Sequence, residues 1–307
     1  MYNRTMTAKT IQTGDEINPL NDVYQPGLYL VATPIGNMGD ITLRALELLK
    51  KADLILCEDT RISGRLMARY GIDRPLRAYH DHNAARIRPE IINQLQQGAT
   101  VALISDAGTP LISDPGYKLV RDAAAADILV SALPGPSAAL AALILSALPT
   151  DRFYFHGFLP PKSGGRRKAL AELSNLPATL IFYESPRRLA GALADMATTL
   201  GDRQAAVARE LTKKFEELRR DSLTALAEHY RESGSPKGEV VIVVGPRSEK
   251  ASQSADGISD QEARMTAALQ AALEAGSLKQ AVATVTADTG LPRKLVYARA
   301  LELTKGR

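Results

Sequence analysis

SDAGTPLISDPG (residues 105–116) follows directly on TVALI (residues 100–104), a run of β-branched and apolar residues that reads as a buried strand. Gly108, Pro110 and the pair Pro115-Gly116 break the segment three times. Between them stand Asp106, Asp114 and the hydroxyls of Ser105, Thr109 and Ser113. No hydrophobic core needs such a composition. A strand that empties into small, polar, backbone-exposing residues is how an open α/β sheet builds a ligand crevice at the carboxyl ends of its strands. The loop contains neither GxGxxG nor GxxxxGK(S/T), so it indicates neither a dinucleotide pyrophosphate nor a nucleoside triphosphate. The expected ligand is recognised by backbone groups, hydroxyls and a carboxylate. S-adenosylmethionine (AdoMet) meets that description: its ribose hydroxyls and amino group suit Asp106, and it brings no phosphate.

Outward from this loop the chain alternates. Strand 28–32 precedes helix 42–51, strand 54–57 precedes helix 61–70, and helix 84–97 stops at Gly98. Strand 100–104, helix 117–126, strand 128–132 and helix 138–148 follow. The pattern predicts a mostly parallel sheet with helices on both faces. The second half has strands at 152–155, 179–183, 205–208, 217–221 and 240–244, with helices at 167–173, 187–200 and 223–232. Several neighbouring strands lack a helix between them, which predicts a mixed or partly antiparallel sheet. The expected organisation is a disordered leader (1–26), an N-terminal α/β domain (27–148), a C-terminal α/β domain (149–246), a polar linker (247–258) and a helical appendage (259–307). In the appendage, helices 261–274, 278–288 and 293–303 are separated by Gly276 and Gly290, and Pro292 opens the last. They have the outline of a helix-turn-helix carrying Arg293, Lys294 and Arg299, although a plain packing module has the same pattern.

Composition narrows the function classes. The 307 residues are 45% hydrophobic and 23% charged, ordinary for a globular protein. Cys57 is the one cysteine and permits no internal disulfide, which favours a reducing cytoplasm. Pro134-Gly135-Pro136 interrupts the longest greasy stretch, 128–148, so no membrane span is expected. The net charge of +4 leans mildly toward a polyanionic partner. His80-Asp81-His82 has metal-ligand character, but no CxxC occurs and His156 and His229 lie far off in sequence, so no metal is expected and HDHN reads as a loop at a substrate edge. No GxSxG elbow supports hydrolysis. Residues 152–170 combine Arg152, Lys162, Arg166, Arg167 and Lys168 with Phe153, Tyr154, Phe155, Phe158 and a Gly164-Gly165 hinge, and contain no acid. A solvated loop has that charge; so does a contact for single-stranded RNA, where phosphates meet cations and bases stack on rings.

Seven segments, in order, carry a resemblance: LYLVATPIGNMGDITLRALELLKKADLILCEDTR (28–61), SDAGTPLISDPG (105–116), LPGPSAALAAL (133–143), FHGFLPPK (155–162), FYESPRR (182–188), ARELTKKFEE (208–217) and KGEVVIVV (237–244). Together they resemble the small-subunit ribosomal RNA cytidine 2′-O-methyltransferases of the tetrapyrrole methylase superfamily, from about Leu28 to Gly245. The resemblance implies two α/β domains with AdoMet in the cleft between them, a homodimer, and methylation of a cytidine ribose in the decoding region of small-subunit RNA within the 30S subunit. It implies a cofactor site built from Pro34, Ile35, Ser105, Asp106, Ala107, Gly108, Thr109, Pro134, Ser137, Ala138, Tyr183, Glu184 and Arg209, all at strand ends or just after them. Ser137 also suits the cap of the helix behind it, whose free N–H groups favour the methionine carboxylate. Glu58-Asp59 reads as capping around Thr60 or as a functional contact, and Ser113 and Asp114 as groups bound to their own backbone. FYESPRR departs from the pattern, with Arg187 where histidine is usual, so Arg187 is not taken as an acid–base group.

The expected RNA contacts are Arg61, Arg152, Arg166, Arg167 and Lys168. Methyl transfer from a sulfonium is an in-line displacement by a weak ribose nucleophile, so a base or cation must help remove its proton. Lys213 in RELTKK and Lys162 in LPPK are the candidates, with Glu184, Glu210 and Glu239 in reserve. A lysine serves as base only if its pKa is lowered; otherwise it stabilises developing alkoxide. Two competing readings remain, a small-molecule methylase acting on a tetrapyrrole and a non-catalytic RNA-binding regulator.

Overall fold

The computed structural model describes residues 24–247 and 255–305. The expected leader lies outside the described residues up to position 23, as does the linker between 248 and 254. Two compact units result: one takes in both sheets and runs to Gly245, the other holds three carboxy-terminal helices together with Leu173–Pro177.

In the first sheet β1 (Gly27–Val31), β2 (Leu54–Cys57), β3 (Leu76–Ala78), β4 (Thr100–Ile104) and β5 (Val130–Leu133) lie in the order β3-β2-β4-β1-β5, all parallel. Its strands are apolar runs because both faces are covered. Tyr29, Val31, Ile55, Cys57, Ala102 and Ile104 meet Leu48 and Leu49 of α1 (Leu43–Lys51) and Leu66 and Met67 of α2 (Thr60–Arg69) on one side. Leu28, Leu56, Val101 and Leu103 meet α3 (Asp81–Gln96) and α4 (Tyr117–Ala125) on the other. Two local readings change. The three-residue β3 was not anticipated. Helix α3 begins at Asp81, with the Asn83 side chain accepting from the His80 N–H at 3.0 Å, so HDHN is a helix start and not a loop.

The second sheet has the order β6-β7-β10-β8-β9. β6 (Phe153–Phe158) is parallel to β7 (Thr179–Glu184); β10 (Val240–Val244) is antiparallel to β7 and to β8 (Gln204–Arg209), and β9 (Glu217–Ser222) is antiparallel to β8. Helix α5 (Ala138–Leu145) follows the first sheet in sequence yet lays Ala139, Ala142 and Leu143 on this second sheet, against Ile181, Ala206, Ala208, Val241 and Val243. α6 (Ser163–Leu173), α7 (Leu189–Leu200) and α8 (Leu223–Glu232) complete the unit. Gly164-Gly165 therefore lies inside the first turn of α6, and the expected hinge is helix.

In the second unit, α9 (Ala255–Ala275), α10 (Leu278–Thr289) and α11 (Arg293–Lys305) enclose Met265, Leu269, Val282, Val285, Val296 and Ala300. Ser277 and Gln280 form a capping box, and Gly290 closes α10 at φ +67°, a left-handed position that suits glycine. Arg299 is engaged by Glu302 at 2.6 Å and Thr266 at 3.0 Å, while Arg293 and Lys294 are exposed. Among the described residues no helix is long and apolar enough to cross a membrane.

Candidate active site

A cavity of about 420 Å³ opens where the carboxyl end of β4 faces the second sheet. That is within the roughly 300–1,000 Å³ usual for small-molecule sites. Ser105, Asp106, Ala107, Gly108 and Thr109 form one wall, Ile35 and the α5 start at Ser137-Ala138 another, and Tyr183, Glu184, Ala208 and Val241 the wall from the second sheet. Local chemistry explains the shape. Thr33 and Gly108 exchange backbone hydrogen bonds of 2.9 and 3.0 Å, so the loops after β1 and β4 are tied side by side. Gly108 takes φ +83°, a conformation costly for any residue with a Cβ. Thr109 Oγ1 donates to the Pro136 carbonyl at 3.1 Å, and the Ser137 hydroxyl caps α5 by accepting from Leu140 N.

The carboxylates divide by environment. Asp59 caps α2 and is gripped by Arg61, first through a side-chain hydrogen bond, which holds its carboxyl down at about 2. Asp106 accepts from the Asp59 N–H at 3.1 Å, and burial pushes its pKa up. Burial likewise raises Asp114, which takes a short hydrogen bond from the Ser105 hydroxyl. Asp114 and Ser113 thus belong to the cavity, not merely to their own backbone. Glu184 is 3% exposed, with Oε1 held by Arg188 and the Ser185 N–H.

Beside the cavity, Glu210, Lys213 and Glu239 form a cluster. Lys213 Nζ lies 2.8 Å from Glu210 Oε1 and 3.2 Å from Glu239 Oε2, and Glu239 lines the cavity. Partial burial on its own would lower the lysine, but the two glutamates outweigh it and leave its pKa above the ordinary value. Gly238 is required here. It sits at φ +94°, and a Cβ would fall 2.1 Å from Glu210 Oε1. The loop after β1 packs on the same cluster, since the Asn37 N–H donates to Thr212 Oγ1 at 3.1 Å.

Ten of the thirteen expected cofactor residues line the cavity; Pro34, Pro134 and Arg209 do not. Pro34 is buried and Pro134 exposed. Arg209 instead braces β8 on β9 through Glu217, at 2.7 and 3.0 Å, and reaches the Lys237 carbonyl. Of the expected RNA contacts, Arg61, Arg152, Arg167 and Lys168 are exposed. Arg166 is not: it is 6% exposed, paired with Asp195 at 2.5 Å and bonded to the carbonyls of Pro161 and Gly191, so it locks α6 to α7 and is withdrawn from the substrate-facing set. Lys162 is exposed and lies outside the cavity lining. Phe158 and Gly238–Val241 line the cavity too, where sequence alone does not place them, although they fall within FHGFLPPK and KGEVVIVV. Among the described residues no group of three His, Cys, Asp or Glu side chains is placed to hold a metal.

Comparison with known proteins shows the family. The model of the Tetrapyrrole (Corrin/Porphyrin) Methylases matches residues 27–227, and that of the RsmI C-terminal HTH domain matches 259–304. A Mesorhizobium japonicum protein named ribosomal RNA small subunit methyltransferase I is 53% identical over 91% of this chain and 92% of its own length. Its namesake from Rickettsia prowazekii is 48% identical over 72% and 79%. The crystal structure of a diphthine synthase superposes with a TM-score of 0.56 at 15% identity, covering 71% of this chain and 89% of that one, which speaks to the fold alone.

Proposed function

The chain belongs to the tetrapyrrole (corrin/porphyrin) methylase family and is a small-subunit ribosomal RNA methyltransferase, and we propose that it moves a methyl group from AdoMet to the 2′-hydroxyl of a cytidine ribose. The observation that carries this reading is the juxtaposition of the Ser105–Asp114 wall with Glu239, which holds Lys213 at the cavity edge. The residues fit the cofactor. Asp106 offers a half-buried carboxylate to hydroxyl and ammonium groups, the α5 N-terminus suits a carboxylate, and Ile35, Ala138 and Val241 supply apolar walls. When bound, AdoMet supplies the electrophilic methyl. Lys213, kept protonated by its two glutamates, stabilises the alkoxide that develops on the acceptor, and Glu239 accepts the proton. The raised pKa of Lys213 argues against the base role that was open to it. A cytoplasmic homodimer belongs to the same reading. The outer face of α5 is apolar, with Leu140 and Ile144 50% and 72% exposed, and a second copy would cover it. Labelled methyl transfer from AdoMet to purified small subunits and to free small-subunit RNA, followed by mapping, tests the function. Labelling anywhere but a cytidine ribose would refute it.

Two results are expected from the site itself. Burial raises Asp106 and Asp114 in the ligand-free cavity, and a cationic ligand favours their ionised forms and lowers both values. AdoMet binding should therefore release protons at mildly acidic pH, and affinity should climb with pH through that window and level off at neutrality. Calorimetry in buffers of different ionisation enthalpy measures the release. Asp106→Ala should shrink it and cost about 1.5–3 kcal/mol of affinity. For the polymer, Arg167→Ala with Lys168→Ala should flatten the salt dependence of RNA binding by about 0.7 in log–log slope for each phosphate left without its cation. AdoMet affinity should not change. An unaltered slope would make that face of α6 a solvated surface.

A further inference from the structure

The pairing of β6 with β7 breaks register once, beside the cavity. Phe153, Tyr154 and Phe155 lie opposite Thr179, Leu180 and Ile181; the ladder then skips His156, so Gly157 lies opposite Phe182 and Phe158 opposite Tyr183. Successive strand residues face opposite sides, so one extra residue sends everything after it to the other face. In unbroken register Phe158 would pair with Glu184. With the bulge it shares the face of Tyr183, whose side lines the cavity. Gly157 makes the bulge possible at φ +77°, where a Cβ would also crowd Ser113 Oγ at 3.0 Å.

The product of this irregularity is an aromatic ring 57% exposed at the cavity, edge-on to Tyr183 with centroids 5.6 Å apart. Core packing does not explain it. β6 is an edge strand, so a long polymer has room to pass beside it. Phe153 and Tyr154 are exposed on the same strand, with exposed Arg152 and Lys162 beyond its two ends. The polar groups suited to the cofactor, by contrast, sit on the loop after β4 and at the α5 start.

We propose that Phe158 is the platform on which the acceptor's nucleobase stacks, holding its ribose at the cavity mouth. Unpaired nucleotides are bound by splaying the base onto an aromatic face, and such stacking tolerates any base because each has a π-face. The proposal rests on the reading of the substrate as RNA. The chain contains no tryptophan, so Phe158→Trp installs a single reporter. With AdoMet already bound, its emission should be quenched further when a small-subunit RNA fragment is added, with methylation retained. Phe158→Leu, which keeps apolar bulk without a ring, should raise the KM for RNA about tenfold or more. AdoMet affinity should stay within about twofold of wild type, and Phe158→Tyr should restore KM. No response of AdoMet-bound Phe158→Trp to RNA, or a wild-type KM in Phe158→Leu, would overturn the platform while wild-type labelling of small subunits leaves the function standing. A wild-type chain that labels no small-subunit RNA overturns both.

Discussion

Lys213→Met should slow single-turnover methylation by about 10²–10³-fold, the usual loss when one preorganised donor is removed from a developing oxyanion. AdoMet affinity should hold, because Lys213 is not part of the cavity lining. The size of the effect follows from how the ammonium is held. Two glutamates fix Nζ, and Gly36 packs on the aliphatic stem so closely that a Cβ there would fall 2.4 Å from Lys213 Cγ. Such a cation does not need to reorganise when charge appears. Because its pKa is raised, the pH–rate profile should show no limb from Lys213 near neutrality; its deprotonation lies above the ordinary lysine range. Glu239→Gln, which removes the proton acceptor, should slow single-turnover methylation by about 10²-fold. Lys162→Met, on the exposed segment before α6, should weaken RNA binding with little effect on the saturated rate. A Lys213→Met rate within about threefold of wild type would end the assignment.

Arg166→Ala should lower unfolding stability by about 3–5 kcal/mol, since removing one partner leaves the other charge buried and unpaired. The guanidinium is bound on every side in a nearly dry site: to Asp195 twice, at 2.5 and 2.7 Å, and to the carbonyls of Pro161 and Gly191. Asp195 also takes the Ser163 hydroxyl at 3.0 Å, so the first turn of α6 loses its anchor. Denaturant midpoints measure the change. At temperatures where the variant stays folded, its RNA-binding salt slope should match wild type, in contrast to the Arg167 and Lys168 pair. Full stability with weakened RNA binding would return Arg166 to the substrate surface.

Neighbouring cations show where sequence reading stops. Arg166 and Arg167 are indistinguishable by composition; which one is buried is decided by the register of α6 and by Asp195, 29 residues away. Lys213 is raised first by its hydrogen bond to Glu210, three residues back, but also by Glu239, 26 residues further on, which nothing in the local sequence brings near. Parallel strands such as TVALI and LILC were legible because burial on both faces demands unbroken apolar runs. The partly exposed LRA of β3 offers no such run. The wall from Ser105 to Thr109 was legible for the opposite reason, that its composition suits nothing but exposed backbone. The bulge at His156 leaves no trace in periodicity, and with it went the side of the sheet on which Phe158 emerges.

β10 is the last strand of the large unit to be synthesised and the middle strand of its sheet, buried along its whole length. A nascent chain can close the first sheet once β5 is made. Its β7 and β8 must wait as two open edges for residues 240–244 to pair with both. The cavity wall from Glu239 to Val241 arrives with that insertion. Completion of the cavity wall therefore waits for the last strand, and a chain stalled before Val240 lacks Val240 and Val241 of that wall and a closed second sheet.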